Sequence, residues 1–213
     1  MKILLADKQD ITRAGLMYIL GSITGTEYHY TEDKSELIAS LKETPDCVVV
    51  LDYTLFDIND VDELIVLSER FPKAMWLLFS DDLSVDFTRR LIASGPMFSI
   101  LLKESPLQEI REAINFAMKG HRYICQHMTE MLLTPEKQPE EETVKLTKTE
   151  TEILKDIALG MTTKEIAAKR FSSFHTVNTH RKNIFRKLGV NNVHEATKYA
   201  FRAGLVDAAE YYI

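Results

Sequence analysis

Residues 162–188 read TTKEIAAKRFSSFHTVNTHRKNIFRKL. Thr162 and Glu165 stand in S/T-x-x-E spacing, so the threonine hydroxyl caps a helix while the glutamate reaches back to the cap amide. The apolar face of that helix is Ile166, Ala167 and Ala168. After Arg170 and Phe171, the pair Ser172-Ser173 supplies fresh N-cap chemistry for a second helix. In the second helix Phe174, Val177, Ile184 and Leu188 recur at helical spacing, with Phe185 flanking. That leaves Asn178, Thr179, Arg181, Lys182, Arg186 and Lys187 largely off the buried stripe, and Gly189 ends the helix. Between Glu165 and Glu195 no Asp or Glu intervenes, whereas Lys169, Arg170, Arg181, Lys182, Arg186 and Lys187 do. A merely solvated helical hairpin would mix signs in i,i+4 pairs, so one-sided charge on two short, tightly joined helices points to a polyanion.

Extended to residues 146–190, the sequence resembles the LuxR-type helix-turn-helix domain. Leu146, Thr147, Glu150, Leu154, Gly160, Lys164, Glu165, Ile166, Ala167, Ser173, Thr176, Val177, His180, Ile184, Lys187, Leu188 and Val190 fall at that family's positions. Two positions depart: Arg170 replaces the usual buried leucine, and Phe174 stands where proline is common. The resemblance implies an all-α domain of four helices whose helix 174–188 enters the major groove of double-stranded DNA. It implies base-reading roles for Asn178, Thr179 and Lys182, and phosphate contacts from Lys164, Thr176, Arg181 and Lys187. The amide of Asn178 suits adenine N6 and N7, where a lysine would favour guanine. A last helix, about 193–203, is implied as a homodimer contact, with Ala196, Ala200 and Ala203 permitting close approach.

Upstream, residues 134–142 (TPEKQPEEE) hold two prolines, an acidic run and no bulky apolar residue, the composition of a linker. Three segments result: 1–120, a linker helix plus acidic linker over 121–145, and 146–213. The formal charge of −6 is unevenly distributed: residues 1–133 carry 13 Lys/Arg against 21 Asp/Glu, a net −8, while 144–213 carry 12 against 7, a net +5. An acidic sensing part beside a basic binding part has this asymmetry. No apolar run approaches the ~20 residues that cross a bilayer, and charge interrupts the N-terminus before any secretory h-region forms. With only Cys47 and Cys125, a disulfide framework is not expected, and the reading is a cytoplasmic protein with no membrane partner.

The N-terminal segment alternates apolar runs with helical patterns. Strands are expected at Lys2–Ala6, Glu27–Thr31, Cys47–Leu51, Met75–Phe79 and Phe98–Leu102, and helices near 10–21, 34–43, 60–70, 83–94 and 106–119. Runs such as CVVVL and MWLLF have no polar alternation, so they belong to a parallel sheet covered on both faces. In a five-stranded doubly wound α/β sheet the site lies at the carboxyl ends of the strands, which selects Asp7, Asp52, Ser80 and Lys103.

Two acids, a hydroxyl and a lysine in that order resemble the pocket of two-component receiver domains, a flavodoxin-like fold, over residues 1–119. With the C-terminal resemblance, the chain resembles a response regulator of the NarL/FixJ class, and a sensor histidine kinase becomes an implied partner. By position, Asp52 is the implied phosphoacceptor, Ser80 the hydroxyl beside the phosphoryl group and Lys103 the cation facing it. Three positions depart from the family. Lys8 occupies the place of a second, Mg²⁺-binding acid; Leu55-Phe56 replace Met-Pro; and Ile100 replaces the aromatic switch residue. Exchanging carboxylate for ammonium moves the pocket by two charge units, each worth ~4 kcal/mol at ~4 Å and an effective dielectric near 20. That argues against Mg²⁺ held by Asp7 and Asp52, and leaves Lys8 either paired with Asp52 or turned to solvent. No catalytic residue and no other cofactor is expected.

His121, Cys125 and His127 lie close together, the first two one helical turn apart, but a fourth metal ligand is lacking. Two other functional classes remain. An aspartate-nucleophile phosphatase would need a second acid two residues after Asp52, where Thr54 stands. A protein-interaction module with an incidental basic tail would show no salt-dependent DNA binding.

Overall fold

A computed structural model of the chain describes residues 1–134, 146–190 and 192–206. The chain divides into two compact units. The acidic stretch 135–145 lies outside the described residues, as do positions 191 and 207–213.

The N-terminal unit is an α/β sandwich. Strands β1 (Lys2–Ala6), β2 (Glu27–Tyr30), β3 (Cys47–Leu51), β4 (Met75–Ser80) and β5 (Phe98–Leu102) form one parallel sheet in the order β2-β1-β3-β4-β5. Every residue of CVVVL and of FSILL is buried, as expected for strands covered on both faces. β2 is the exception: EYHY lies at the sheet edge and is largely exposed. The helices are α1 (Asp10–Gly21), α2 (Lys34–Glu43), α3 (Val61–Arg70), α4 (Val85–Ser94) and α5 (Leu107–Met118). Asp33 and Ser84 cap α2 and α4 by accepting the amides of Glu36 and Phe87. The chain order reverses between β2-β1 and β1-β3, so the carboxyl ends of β1 and β3 lie side by side, with Ala6 level with Leu51.

Residues 121–125, which the sequence reading assigns to a helix, are extended. Ile124 forms a parallel bridge to Ile100, the Ile100 amide donates to Tyr123 O at 2.8 Å, and the Cys125 amide donates to Ile100 O at 2.9 Å. The open edge of β5 offers this segment backbone partners that a helix would forgo. Only after it does helix α6 (Gln126–Leu133) begin, so His121 and Cys125 are not one helical turn apart. Among the described residues no cluster of His, Cys, Asp and Glu could hold a metal ion. Cys47 and Cys125 are both buried free thiols, and burial pushes the Cys47 thiol up to about 11.

The C-terminal unit is a helical domain: α7 (Lys148–Ala158), α8 (Thr163–Lys169), α9 (Phe174–Leu188) and α10 (Val193–Arg202). Ile153, Leu154, Ile157, Ile166, Val177, Ile184 and Phe185 form its core, and truncating any one of the larger aliphatics would cost about 2–5 kcal/mol. α7 lies against both α9 and α10, and α8 against α9. Among the described residues no helix is long and apolar enough to cross a membrane.

Candidate functional site

In the α/β unit all four strand-end residues converge. Asp7, Asp52 and Ser80 are buried, and the Lys103 ammonium lies 2.6 Å from Asp52 Oδ2 and 3.0 Å from Asp7 Oδ2. The carboxylate of Asp52 is further held by backbone donors, the amides of Thr54 and Leu55 reaching Oδ1 at 2.9 and 3.3 Å. The Ser80 hydroxyl accepts the Tyr53 amide at 3.0 Å, which ties β4 to the turn after β3. Burial pushes the Asp7 carboxyl above its ordinary value, opposed by the Gln9 amide at 2.7 Å and by Lys103. Burial alone would lower Lys103; the bond and charge of Asp52, then Asp7, outweigh it and hold the lysine above its usual value.

Gln9 belongs to this pocket, and the sequence reading missed it. Its Oε1 accepts from Lys103 Nζ at 2.9 Å and from the Thr12 hydroxyl at 3.0 Å, so the N-cap residue of α1 is the third acceptor on the lysine. The only sequence signal is its place two residues after Asp7. Lys8 lies with its ammonium 5.6 Å from the centroid of the Phe56 ring, a cation–π placement. Phe56 is fully buried, and Ile100 sits in the interior of β5. Lys103 lies directly on Asp52. One oxygen of each acid faces the Lys103 ammonium, and the position of a third acidic ligand carries Lys8.

In the helical unit the N-terminal halves of both motif helices are built as their sequence dictates. Thr162 and Glu165 make a reciprocal capping box at the start of α8. Ser173 caps α9, its Oγ accepting the Thr176 amide at 3.0 Å. Gly189 closes α9 with φ of 64°.

Lys164 and Thr176 are exposed, each near the N-terminal end of its own helix, and Thr179 is partly exposed. Three others are less exposed than helical spacing alone implies. Asn178, Arg181 and Lys182, read as off the buried stripe, are 1%, 4% and 7% exposed. They stand at i, i+3 and i+4 in the row beside Val177, Ile184 and Phe185, and the Arg181 guanidinium lies 5.7 Å from the Phe185 ring.

Lys187, implied as a phosphate contact, is held inside the domain. Its ammonium lies 2.8 and 2.7 Å from the two carboxylate oxygens of Glu150, which also completes a second capping box with Thr147 at the start of α7. Burial tends to raise the Glu150 carboxyl, but Lys187 and Thr147 together hold it below its ordinary value. Likewise Lys169 and Arg170 converge on buried Asp156, with Lys169 Nζ and Arg170 Nε each at 2.7 Å, and Arg170 also reaches Glu152. The one-signed charge of 166–194 is thus balanced in part by acids of α7, and the departure at Arg170 has its compensation in Asp156. T-x-x-E spacing at 147–150 was the available signal for Glu150; nothing local signalled Asp156.

Ala196 and Ala200, read as a dimer contact, are fully buried in their own domain, where α10 lies on α7. Small residues let these two helices approach within one domain; the exposed row of α10 is His194, Lys198 and Arg202, beside exposed Ala203.

Residues 144–200 match the family described as bacterial regulatory proteins, luxR family. Over nearly its whole length the chain is similar to the transcriptional regulatory protein LiaR of Bacillus subtilis strain 168, with 29% identity over 211 residues covering 97% of this chain and 100% of LiaR. It is also similar to the response regulator GacA of Pseudomonas protegens, with 27% identity over 212 residues covering 98% and 99% of the two chains. Among solved structures, RcsB of Salmonella enterica serovar Typhimurium, bound to a promoter in the presence of the phosphomimetic BeF3⁻, matches 93% of this chain and 97% of its own at a TM-score of 0.56 and 21% identity. That last likeness speaks for the fold.

Proposed function

We infer that this chain, a response regulator of the NarL/FixJ class whose C-terminal domain belongs to the luxR family, regulates transcription by binding a specific DNA sequence through α9. One observation carries the reading. A 15-residue helix with a serine N-cap, exposed Thr176 and no acid in its first turn follows a short capped helix carrying exposed Lys164, in a domain whose sequence matches the luxR family. Helix N-termini and hydroxyls of this kind hold phosphates and set the register of the helix in the groove. Thr179 stands next along α9 to reach base edges, and Asn178, Arg181 and Lys182 join it in a conformation that exposes them. One helix contacts only a few base pairs, so two copies act together on half-sites about one helical turn, ~10 bp, apart. Stacking His194, Lys198 and Arg202 of α10 on themselves across a two-fold axis would oppose like charges, so any α10 contact must be offset from that row.

The α/β unit modulates this binding without ordinary Mg²⁺-dependent phosphorylation. Lys103 on both acids and Lys8 in place of a third acid support that reading, and protein level or a partner then sets activity. The chain acts in the cytoplasm as a binding protein, not as an enzyme; a sensor histidine kinase enters only if the pocket accepts phosphate.

A salt titration of duplex binding tests the first part: affinity should fall steeply with salt, and a flat dependence would remove phosphate contacts from the interface. Intact mass after incubation with acetyl phosphate and Mg²⁺ tests the second. The expected result is no added phosphoryl group. Stoichiometric addition of one, abolished in Asp52→Asn, would restore the phosphoacceptor role.

A further inference from the structure

Among the described residues, five helices end in the same hydrogen-bonded turn. At the end of α5, α7, α8, α9 and α10 one residue donates three residues back, and the next donates five residues back: Gly120 and His121, Gly160 and Met161, Phe171 and Ser172, Gly189 and Val190, Gly204 and Leu205. That turn places its first residue in the left-handed region, which glycine enters at no steric cost and a bulky side chain does not. Four of the five turns use glycine. The fifth, between α8 and α9, uses Phe171 at φ of 51°, the single non-glycine residue with positive φ among those described.

Phe171 is also 99% exposed. Its ring covers no core, so neither packing nor backbone geometry accounts for a phenylalanine there, and glycine or asparagine would make the turn at lower cost. The residue stands two positions before the Ser173 cap of α9, the helix that carries Thr176. The neighbouring exposed His175 has its ring in edge contact with Phe174 at 5.9 Å. Lys164 stays exposed on α8, and along the chain no acid stands between Glu165 and Glu195. In a helix-turn-helix the first helix crosses the DNA backbone as the second enters the groove, which brings the joint to the groove edge.

We propose that Phe171 is a DNA-contact residue whose ring packs on the deoxyribose of the backbone strand bordering the groove, beside a phosphate held at the N-terminus of α9. The proposal rests on the reading of α9 as the DNA-binding helix. A ring on sugar contributes affinity without reading sequence and without displacing counterions. Such a contact separates three readouts that other roles combine.

The full-length protein carrying Phe171→Asn is titrated against duplexes selected by the wild type from a random pool, and against a scrambled duplex. Affinity should fall about tenfold on both, as expected for one lost apolar contact, with an unchanged salt slope. The thermal midpoint should stay level or rise by a few degrees, because asparagine tolerates the left-handed turn. Phe171→Trp should keep wild-type affinity. Wild-type affinity in Phe171→Asn would overturn the proposal and give the ring to a protein partner instead. A lowered midpoint accompanying the weaker binding would make it structural, and a loss confined to one sequence would make it a base reader; either result overturns the proposal. Failure of the wild type to bind any duplex in a salt-dependent way would instead overturn the reading of α9 itself.

Discussion

Replacing Lys103 by methionine keeps the stem of the side chain and removes the one ammonium that lies between two buried carboxylates, at 2.6 and 3.0 Å. The side chain is only 10% exposed, so water cannot take over the screening of Asp7 and Asp52. Removing one partner of such a buried pair costs about 3–5 kcal/mol, because the remaining charge is left uncompensated. At a urea dependence of about 2 kcal/mol/M for a unit of this size, the unfolding midpoint should fall by about 1.5–2.5 M. The single tryptophan of the chain, Trp76, is fully buried in β4, so its fluorescence follows the α/β unit alone.

The cost should depend on pH in a definite direction. Lys103 is held above its usual value and stays cationic from pH 5 to 8, while burial already raises Asp7. Without the lysine the folded Asp7 carboxyl rises further, while its unfolded value stays near about 3.9. A carboxyl with a raised folded value destabilises increasingly as pH climbs from the unfolded toward the folded value. The deficit should therefore be largest near pH 8 and shrink toward pH 5. Combined with Asp52→Asn, which removes one of the two charges, Lys103→Met should cost at least about 1 kcal/mol less than in the wild type. A deficit below about 1 kcal/mol at pH 7.5, or one that does not change between pH 5 and 8, would refute this account of the pocket.

Three further outcomes concern the helical unit. Glu150→Gln keeps the capping amide acceptor but loses the Lys187 pair, and should cost about 1–2 kcal/mol; Glu150→Ala loses both and should cost about 1 kcal/mol more, by thermal melts followed by circular dichroism. Because Glu150 is held below its ordinary value, its contribution is complete above about pH 4.3, the unfolded value, and is lost as pH falls through the lower folded value, so the Gln variant and wild type should converge in acid. Arg170→Leu, which restores the residue common in the family, should destabilise by about 1–3 kcal/mol here, because buried Asp156 loses its guanidinium; Arg170→Leu with Asp156→Leu should recover most of that loss. Ala200→Leu should lower stability by about 1–3 kcal/mol at all protein concentrations, since it overpacks α10 against α7; an effect seen only in the sedimentation of a dimer would return this face to the subunit interface.

Much of this architecture was legible in the chain because it depends on local rules. Unbroken apolar runs set β1, β3, β4 and β5 within a residue of their observed ends, T-x-x-E and Ser173 set the starts of α8 and α9, and Gly189 set the end of α9. The order of strand-end residues was enough to bring Asp7, Asp52, Ser80 and Lys103 together, since a parallel sheet puts all its carboxyl ends on one side. The extended segment at 121–125 was not legible, because its backbone partner is the edge of β5, twenty or more residues away.

Charge shows the division most clearly. The sequence by itself determined how many cations α8 and α9 carry and that no acid stands among them. Only the tertiary structure decided which remain available. Glu150 and Asp156 lie well upstream on α7, yet folding brings them to Lys187, Lys169 and Arg170, while Lys164 stays exposed. In the same way, helical spacing made Ala196 and Ala200 a smooth face, and the packing of α10 on α7 decided that the face is internal. Capping and strand patterning act over a few residues and are written in order along the chain; ion pairing and face-to-face packing act through space, between residues whose separation along the chain carries no record of their contact.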